Sequence, residues 1–308
     1  MVENMKNIKY SVLLMLLSLV GCGKDIINDE QVIDRLSSQR IEFVVESVSD
    51  GRAVVMDNSN FAVDGNDFGV FATMQKGCLN SAEFVPNLFD NAQIVFNNGV
   101  WISNQTECWP QSSDTLCSFV AYSPYSPFVS ATENGIKIPF VISLMCQEQY
   151  DLLYAVKKDI NTPNNPIPLN FKHALSKVEF TITLNPHVDN ITKVEIVEAR
   201  VRNLYLSAVA TIDPYSGDCL WSDYANVNTC VLFYGIIEPT QKTQLGEPMM
   251  LLPQDVDNVC VDLFYRVYSS ANKDYVMKCT SYLLSANSVN VWHSNQSYVY
   301  NLTLTVSE

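Results

Sequence analysis

The sequence predicts an all-β protein of two tandem β-sandwich domains. Three observations carry that expectation. Charged residues make up only 17% of the 308, while Val, Thr, Tyr, Ser and Asn are plentiful. Such a composition suits pleated, half-buried surfaces better than helices. Apolar residues recur with a period of two, most clearly from Lys177, where Val178, Phe180, Ile182 and Leu184 oppose Lys177, Glu179, Thr181 and Thr183. Turn signals punctuate the apolar runs every 10–15 residues or so, and no amphipathic helix of about three or more turns stands out. A chain of this length accommodates about two domains and buries real cores without relying on disulfides. The breaker-rich run Asn161-Thr-Pro-Asn-Asn-Pro-Ile-Pro168 reads as the joint. The expected division is residues 1–21 a signal peptide, 22–37 a tether, 38–160 the first domain, 161–167 a linker and 168–308 the second domain.

At the N-terminus, Lys6 and Lys9 precede an apolar run from Tyr10 to Leu19 that ends Leu19-Val-Gly-Cys22. A basic start, a short apolar core and small residues before a cleavage point make a secretory signal. The run is shorter than the roughly 20 residues a spanning helix needs. Leu-Val-Gly-Cys is similar to a bacterial lipobox, which makes Cys22 the expected acceptor of a diacylglyceryl group, with cleavage just before it. More than one acyl chain would tether the protein firmly to a membrane. Lys24 and Asp25, then Asp29 and Glu30, resemble the lysine–acidic signal that sends such lipoproteins to the outer face of the outer membrane.

In the first domain, Ile41–Val48 reads as a strand, Ser49-Asp-Gly51 as a turn, and Arg52-Ala-Val-Val-Met56 as resumed apolar pattern. Further strands are expected at 68–74, 93–97, 100–103, 116–122, 135–142 and 151–157. Asp64, Asn66 and Asp67 lack the spacing of a calcium loop and read as an Asx-type turn. In the second domain, strands are expected at 177–184, 192–201, 202–212, 229–237, 249–252, 258–268, 275–284, 288–291 and 298–306. Alternation is clear in the segment 258–268, where Val259, Val261, Leu263, Tyr265 and Val267 oppose Cys260, Asp262, Phe264 and Arg266. The last strand puts Tyr298, Tyr300, Leu302, Leu304 and Val306 on one side.

The net charge of −14, with 19 Lys+Arg against 33 Asp+Glu, lacks the basic footprint that phosphate binding needs, so nucleic acid is not an expected partner. Nor does it suit peripheral docking on anionic lipid. Setting Cys22 aside leaves eight cysteines with no Cys-x-x-Cys spacing, which argues against a zinc ribbon or a thioredoxin-like site. The closest pairs in sequence, Cys108 with Cys117 and Cys219 with Cys230, are either loop staples or small buried apolar side chains. His173, His187 and His293 have no metal spacing, and there is no His-Glu-x-x-His, Gly-x-Ser-x-Gly or phosphate loop. The expectation is no catalytic residue, no metal and no cofactor, with His173 structural near the domain joint. Trp101, Trp109, Trp221 and Trp292, with fifteen tyrosines, are the candidate stacking platforms for a glycan, against core packing as the ordinary fate of large aromatics.

Five blocks in order carry a family resemblance: Phe68-Gly-Val-Phe-Ala72, Asp151-Leu-Leu-Tyr-Ala155, Phe171-Lys-His-Ala-Leu-Ser-Lys-Val-Glu-Phe180, Met250-Leu-Leu-Pro-Gln254 and Trp292–Leu304. Together they resemble the fimbrillin-like proteins of the Bacteroidales, lipoprotein-derived subunits of surface pili. The resemblance implies that both domains are transthyretin-like Greek-key sandwiches. It further implies that a secreted protease of trypsin-like preference cuts after an arginine near the first strand. Arg52, followed by Ala53, is the expected site, with Arg35 and Arg40 as the other candidates. Cleavage would remove Ile41, Phe43, Val45 and Val48. The groove would then be filled by a strand from a neighbouring subunit through main-chain hydrogen bonds and alternate side chains. Stalk subunits of such a family carry extra C-terminal strands as donors. The sequence here ends at Ser307-Glu308, just after the strand 298–306, which gives the expectation of a tip or near-tip subunit. The alternatives are a stand-alone glycan-binding surface lipoprotein and an uncleaved anchor subunit that retains Cys22. Expected partners are other pilus subunits, the outer membrane through the lipid, and a host or bacterial surface ligand.

Overall fold

The computed structural model describes residues 39–48, 57–79, 84–112, 114–161, 166–185, 191–239, 241–270, 274–287 and 289–306. Cys22, Arg35, Arg52, Ala53 and His187 lie outside the described residues. Strands dominate throughout, as the composition predicts. In the N-terminal part they are β1 (Phe43–Val48), β2 (Asp67–Lys76), β3 (Phe89–Asn97), β4 (Val100–Ser103), β5 (Thr115–Ser123), β6 (Ser130–Thr132), β7 (Gly135–Val141), β8 (Leu153–Ile160) and β9 (Ile167–His173). There follow β10 (Ser176–Asn185), β11 (Ile191–Ile212), β12 (Cys219–Ile237), β13 (Thr243–Gln244), β14 (Met249–Leu251), β15 (Cys260–Ser269), β16 (Tyr275–Leu283) and β17 (Ser297–Thr305).

Among the described residues the strands form three sheets. The first has the order β1-β9-β8-β5-β2-β3-β4, with β1 parallel to β9 and the other neighbours antiparallel. In the second, β10 pairs with β13 and β14 and runs parallel to β17. The third has the order β16-β15-β11-β7-β6, with β12 on the other edge of β11. Hydrogen bonding crosses the expected 161–167 linker in both directions. Strand β9 begins at its last residue and runs into the expected second domain yet joins the first sheet, and β7 precedes it yet pairs with Ser207–Ile212 of β11. Two cores form. One lies on the inner face of the first sheet and holds Phe43, Phe68, Phe89, Phe119 and Phe171. The other fills the space between the remaining sheets and includes Phe71, Val120 and Tyr122 from the opposite face of the first sheet. Strands β2 and β5 are therefore covered on both faces, which explains their near-continuous burial.

Several sequence expectations change in detail. The segments 192–201 and 202–212 are one long strand, β11, with bulges at four places in its pairing with β12. Strand β12 begins at Cys219 rather than 229, because its first half is an exposed edge without an apolar face. The described residues 289–291 of the expected strand 288–291 form no strand; Val291 makes a single bridge to Asp255. Cys219 and Cys230 sit on the same extended strand, eleven residues and therefore about 36 Å apart, and do not pair. Cys108 and Cys117 are likewise free thiols. Asp64, Asn66 and Asp67 are engaged in turn contacts: Asp64 accepts from the Asn98 amide, Asn66 donates to the Asn60 and Phe61 carbonyls, and Asp67 accepts from the Tyr125 amide.

Candidate functional site

The sequence singles out the first strand, and the structure puts β1 at the edge of the first sheet. Its side chains alternate between core and solvent. Ile41, Phe43 and Val48 are buried, Val45 is half-buried, and Glu42, Val44 and Glu46 face out. A bulge between Val45 and Ser47 shifts the alternation, so Val48 rather than Ser47 turns inward. Phe43 is the anchor. Its ring centroid lies 6.1 Å from Phe68, 5.6 Å from Phe89 and 5.9 Å from Phe119, in edge-on or tilted arrangements. Aromatic pairs favour these geometries because ring edges are positive and faces negative.

The backbone of this segment is held on both sides. Phe43, Val44, Val45, Ser47 and Val48 oppose Ile167, Pro168, Leu169, Asn170 and Phe171 of β9. On the other side the Ile41 amide donates to Glu107 O at 2.9 Å, and the Trp109 amide donates to Gln39 O at 2.9 Å. In the described pairing β8 reaches only Lys172 and His173 of β9, so the stretch 167–171 relies on β1 for its ladder. Opposite β1 across the curled sheet lies β4, the other edge strand. The two line an open cleft of about 520 Å³ with Gln105, Thr106 and Pro166. Arg40 precedes β1 and bridges to Cys108. A cut after Arg35 or Arg40 leaves β1 attached to the chain, whereas Arg52 lies beyond its end.

The signature blocks meet behind this site. Asp151 and His173 are both buried, with Asp151 Oδ2 at 2.5 Å from His173 Nδ1. Burial holds the Asp151 carboxyl above its ordinary range, opposed by the hydrogen bond from His173. The pair ties the start of the β8 block to the end of β9, which carries β1. Gly69 serves the other face of β2. A Cβ there would stand 2.4 Å from Tyr122 Cε1, so the ring lies directly on the glycine. The Tyr122 hydroxyl in turn lies 2.7 Å from Asn91 Oδ1 and 2.8 Å from Ser126 O, fixing the loop after β5.

Strand β17 occupies the second core much as β1 occupies the first. It runs parallel to β10 from Ser297 opposite Lys177 to Thr305 opposite Asn185. Tyr300, Leu302, Leu304 and Val306 are buried and Tyr298 is half-buried. The tryptophans form no paired exposed platform. Trp109 and Trp292 are buried, Trp101 packs among Phe61, Phe68 and Phe96, and Trp221 is half-buried with Nε1 donating to Ala174 O. Sequence reasoning missed β9 as the partner of β1. Pro166 and Pro168 disguise it as linker, and no local signal reports a partner more than a hundred residues away.

Comparison with known proteins agrees with this architecture. No curated protein matches the chain. A fimbrial protein from Bacteroides vulgatus shares the fold with a TM-score of 0.66 at 15% identity, covering 87% of this chain and 95% of its own. Proposed cell adhesion proteins from Bacteroides ovatus (TM-score 0.55, 16% identity, 87% and 92% covered) and Bacteroides uniformis (TM-score 0.53, 14% identity, 86% and 94% covered) share it as well. The fimbrillin-like family matches residues 52–308, from just beyond β1 to the last residue. This chain belongs to the fimbrillin-like family.

Proposed function

We propose that this protein is a cell-surface pilus subunit, exported as a lipoprotein through Cys22, that becomes competent for assembly when a protease cuts after Arg52 and β1 is released. Membership of the fimbrillin-like family supports the pilus role. The single observation that carries the strand-release reading is the position of β1. It is an edge strand, it contributes Phe43 to an aromatic core, and it is the ladder partner of Ile167–Phe171. Burying Ile41, Phe43 and Val48 contributes about 5–9 kcal/mol, at about 1.5–3 kcal/mol for each buried side chain. Release of the segment exposes that apolar groove and an unpaired edge together, which is the condition for accepting an extended strand from a neighbour. The incoming strand fits best if it places a large apolar side chain in the Phe43 pocket.

The pairing of β17 supports an acceptor that keeps its own C-terminal strand, the role of a tip or near-tip subunit. Freeing β17 to act as donor would expose Tyr300, Leu302, Leu304 and Val306 and strip β10 of its parallel partner. The test is the N-terminus of the protein recovered from the native cell surface, read by mass spectrometry in wild type and in Arg52→Ala. Wild type is expected to begin at Ala53 and the variant to retain β1 and stay out of pili. Lipidated Cys22 as the first residue of pilus-borne protein would replace this reading with that of an uncleaved anchor. Normal pili from Arg52→Ala would remove Arg52 as the site.

A further inference from the structure

A second concave surface lies away from β1, between the β11–β12 hairpin and the segments around Gln254 and Trp292. It is an open cleft of about 510 Å³ whose lining includes Tyr205, Trp221, Tyr224, Asp255, His293 and Ser294. Its volume falls within the range of roughly 300–1,000 Å³ typical of small-ligand sites. The walls are fixed before any ligand arrives. The Tyr224 hydroxyl donates to Pro253 O at 2.5 Å, and Trp221 Nε1 donates to Ala174 O at 3.0 Å. The Gln254 side chain accepts from the Tyr205 amide at 2.8 Å and donates to the Tyr205 carbonyl. Below the surface, Trp292 is fully buried and donates to the Tyr300 hydroxyl at 2.9 Å.

The polar ends of Trp221 and Tyr224 are therefore spent on the protein, and what they offer the cleft is ring surface. Tyr205 and Tyr224 are 38% and 36% exposed, with centroids 5.6 Å apart and planes at 61°, so they make an angled aromatic corner rather than a flat shelf. Beside that corner, Asp255 and His293 are exposed and Ser294 is half-exposed; the His293 backbone is held by the Tyr298 and Ser176 hydroxyls, while the side chains of these three make no hydrogen bond or ion pair among the described residues. Ring faces take up C–H surface, while a carboxylate, an imidazole and a hydroxyl accept and donate to hydroxyl groups. One class of ligand presents both features on opposite sides of a small ring: a saccharide.

We infer that the cleft between Tyr205, Tyr224, Asp255 and His293 binds a neutral saccharide unit. Neutral rather than acidic follows from charge: Asp255 stands in the site, and the chain carries a net charge of −14. The cleft lies on strands and loops of the second and third sheets, none of which includes β1, so the site does not depend on strand release.

The test is saturation-transfer NMR on the purified full chain with methyl α-mannoside, methyl β-galactoside and maltotriose, and with N-acetylneuraminic acid as an acidic comparator. Transfer is expected from at least one neutral sugar. Binding should weaken about tenfold in Tyr224→Ala and in Asp255→Asn, the scale of one lost aromatic or charged contact. Asp255 is a surface residue, so that variant keeps the test valid if Tyr224→Ala unfolds; circular dichroism reports which has occurred. No transfer from any of the three neutral sugars overturns the inference. So does unchanged binding in the folded variants, or binding of the acidic sugar as strong as that of the neutral ones.

Discussion

Phe43→Ala is the sharpest probe of how β1 is held. Phe43 is 5% exposed and touches Phe68, Phe89 and Phe119, so its ring fills a pocket made by three other aromatics. Truncating a buried Phe to Ala costs about 3–5 kcal/mol through lost transfer energy and the cavity left behind. Because the strand lies at a sheet edge, the loss should appear first as local opening of β1 rather than global unfolding. Val44 is the matched control. It is the next residue on the same strand and is 36% exposed, so Val44→Ala removes little buried surface and should cost about 1 kcal/mol or less. Native-state hydrogen exchange reads the difference directly. The β1 amides that bond to β9 should exchange roughly 100- to 4,000-fold faster in Phe43→Ala than in wild type, at about 1.4 kcal/mol per factor of ten. If Phe43→Ala and Val44→Ala accelerate exchange equally, the aromatic pocket does not hold the strand. The account of strand release as the opening of a defined apolar groove then fails with it.

Three other outcomes are expected. His173→Leu leaves the Asp151 carboxyl buried without its partner and should cost about 3–5 kcal/mol, whereas the double change Asp151→Leu with His173→Leu should cost clearly less. Urea unfolding of the three proteins decides this, and equal losses would deny the pairing. Gly69→Ala drives a methyl into the Tyr122 ring and should cost about 1–3 kcal/mol in urea unfolding, and an unchanged midpoint would deny the close contact. In denaturant without reductant, an alkylating reagent should label every cysteine from Cys78 to Cys279, read as eight additions by intact mass. In the native protein at pH 8 the exposed Cys78 should react first, while burial pushes the thiols of Cys117 to about 11 and Cys230 to about 12 and so leaves little thiolate to react. A shortfall of two labels in denaturant would restore a disulfide.

Legibility in the sequence followed local periodicity. Strand β4 is expected and found at 100–103, and the alternation read in 258–268 appears as burial of Val259, Val261, Leu263, Tyr265 and Val267. These segments have one buried and one wet face, so the pattern of two is printed in the residues. Strand β12 resisted because Leu220 to Asn228 forms an exposed edge, where no core imposes alternation. The exposed Tyr205 and Tyr224 were legible only as two of fifteen tyrosines; the cleft that joins them is made by segments distant in the chain.

By itself, the sequence determined the all-β class, most of the strands, which residues of β17 share one side, and the ordered blocks that mark the family. Each of these depends on neighbours in the chain: side-chain alternation, turn residues and short motifs. The tertiary structure alone decided who pairs with whom. It placed β1 beside β9 and β17 beside β10, drew β7 into the sheet of β11, joined Asp151 to His173, and set Cys219 far from Cys230. The physical reason is that a strand's apolar face states only that it must be covered. Which surface covers it is settled by the packing of the whole chain, where Phe43 finds three rings no local pattern could have named.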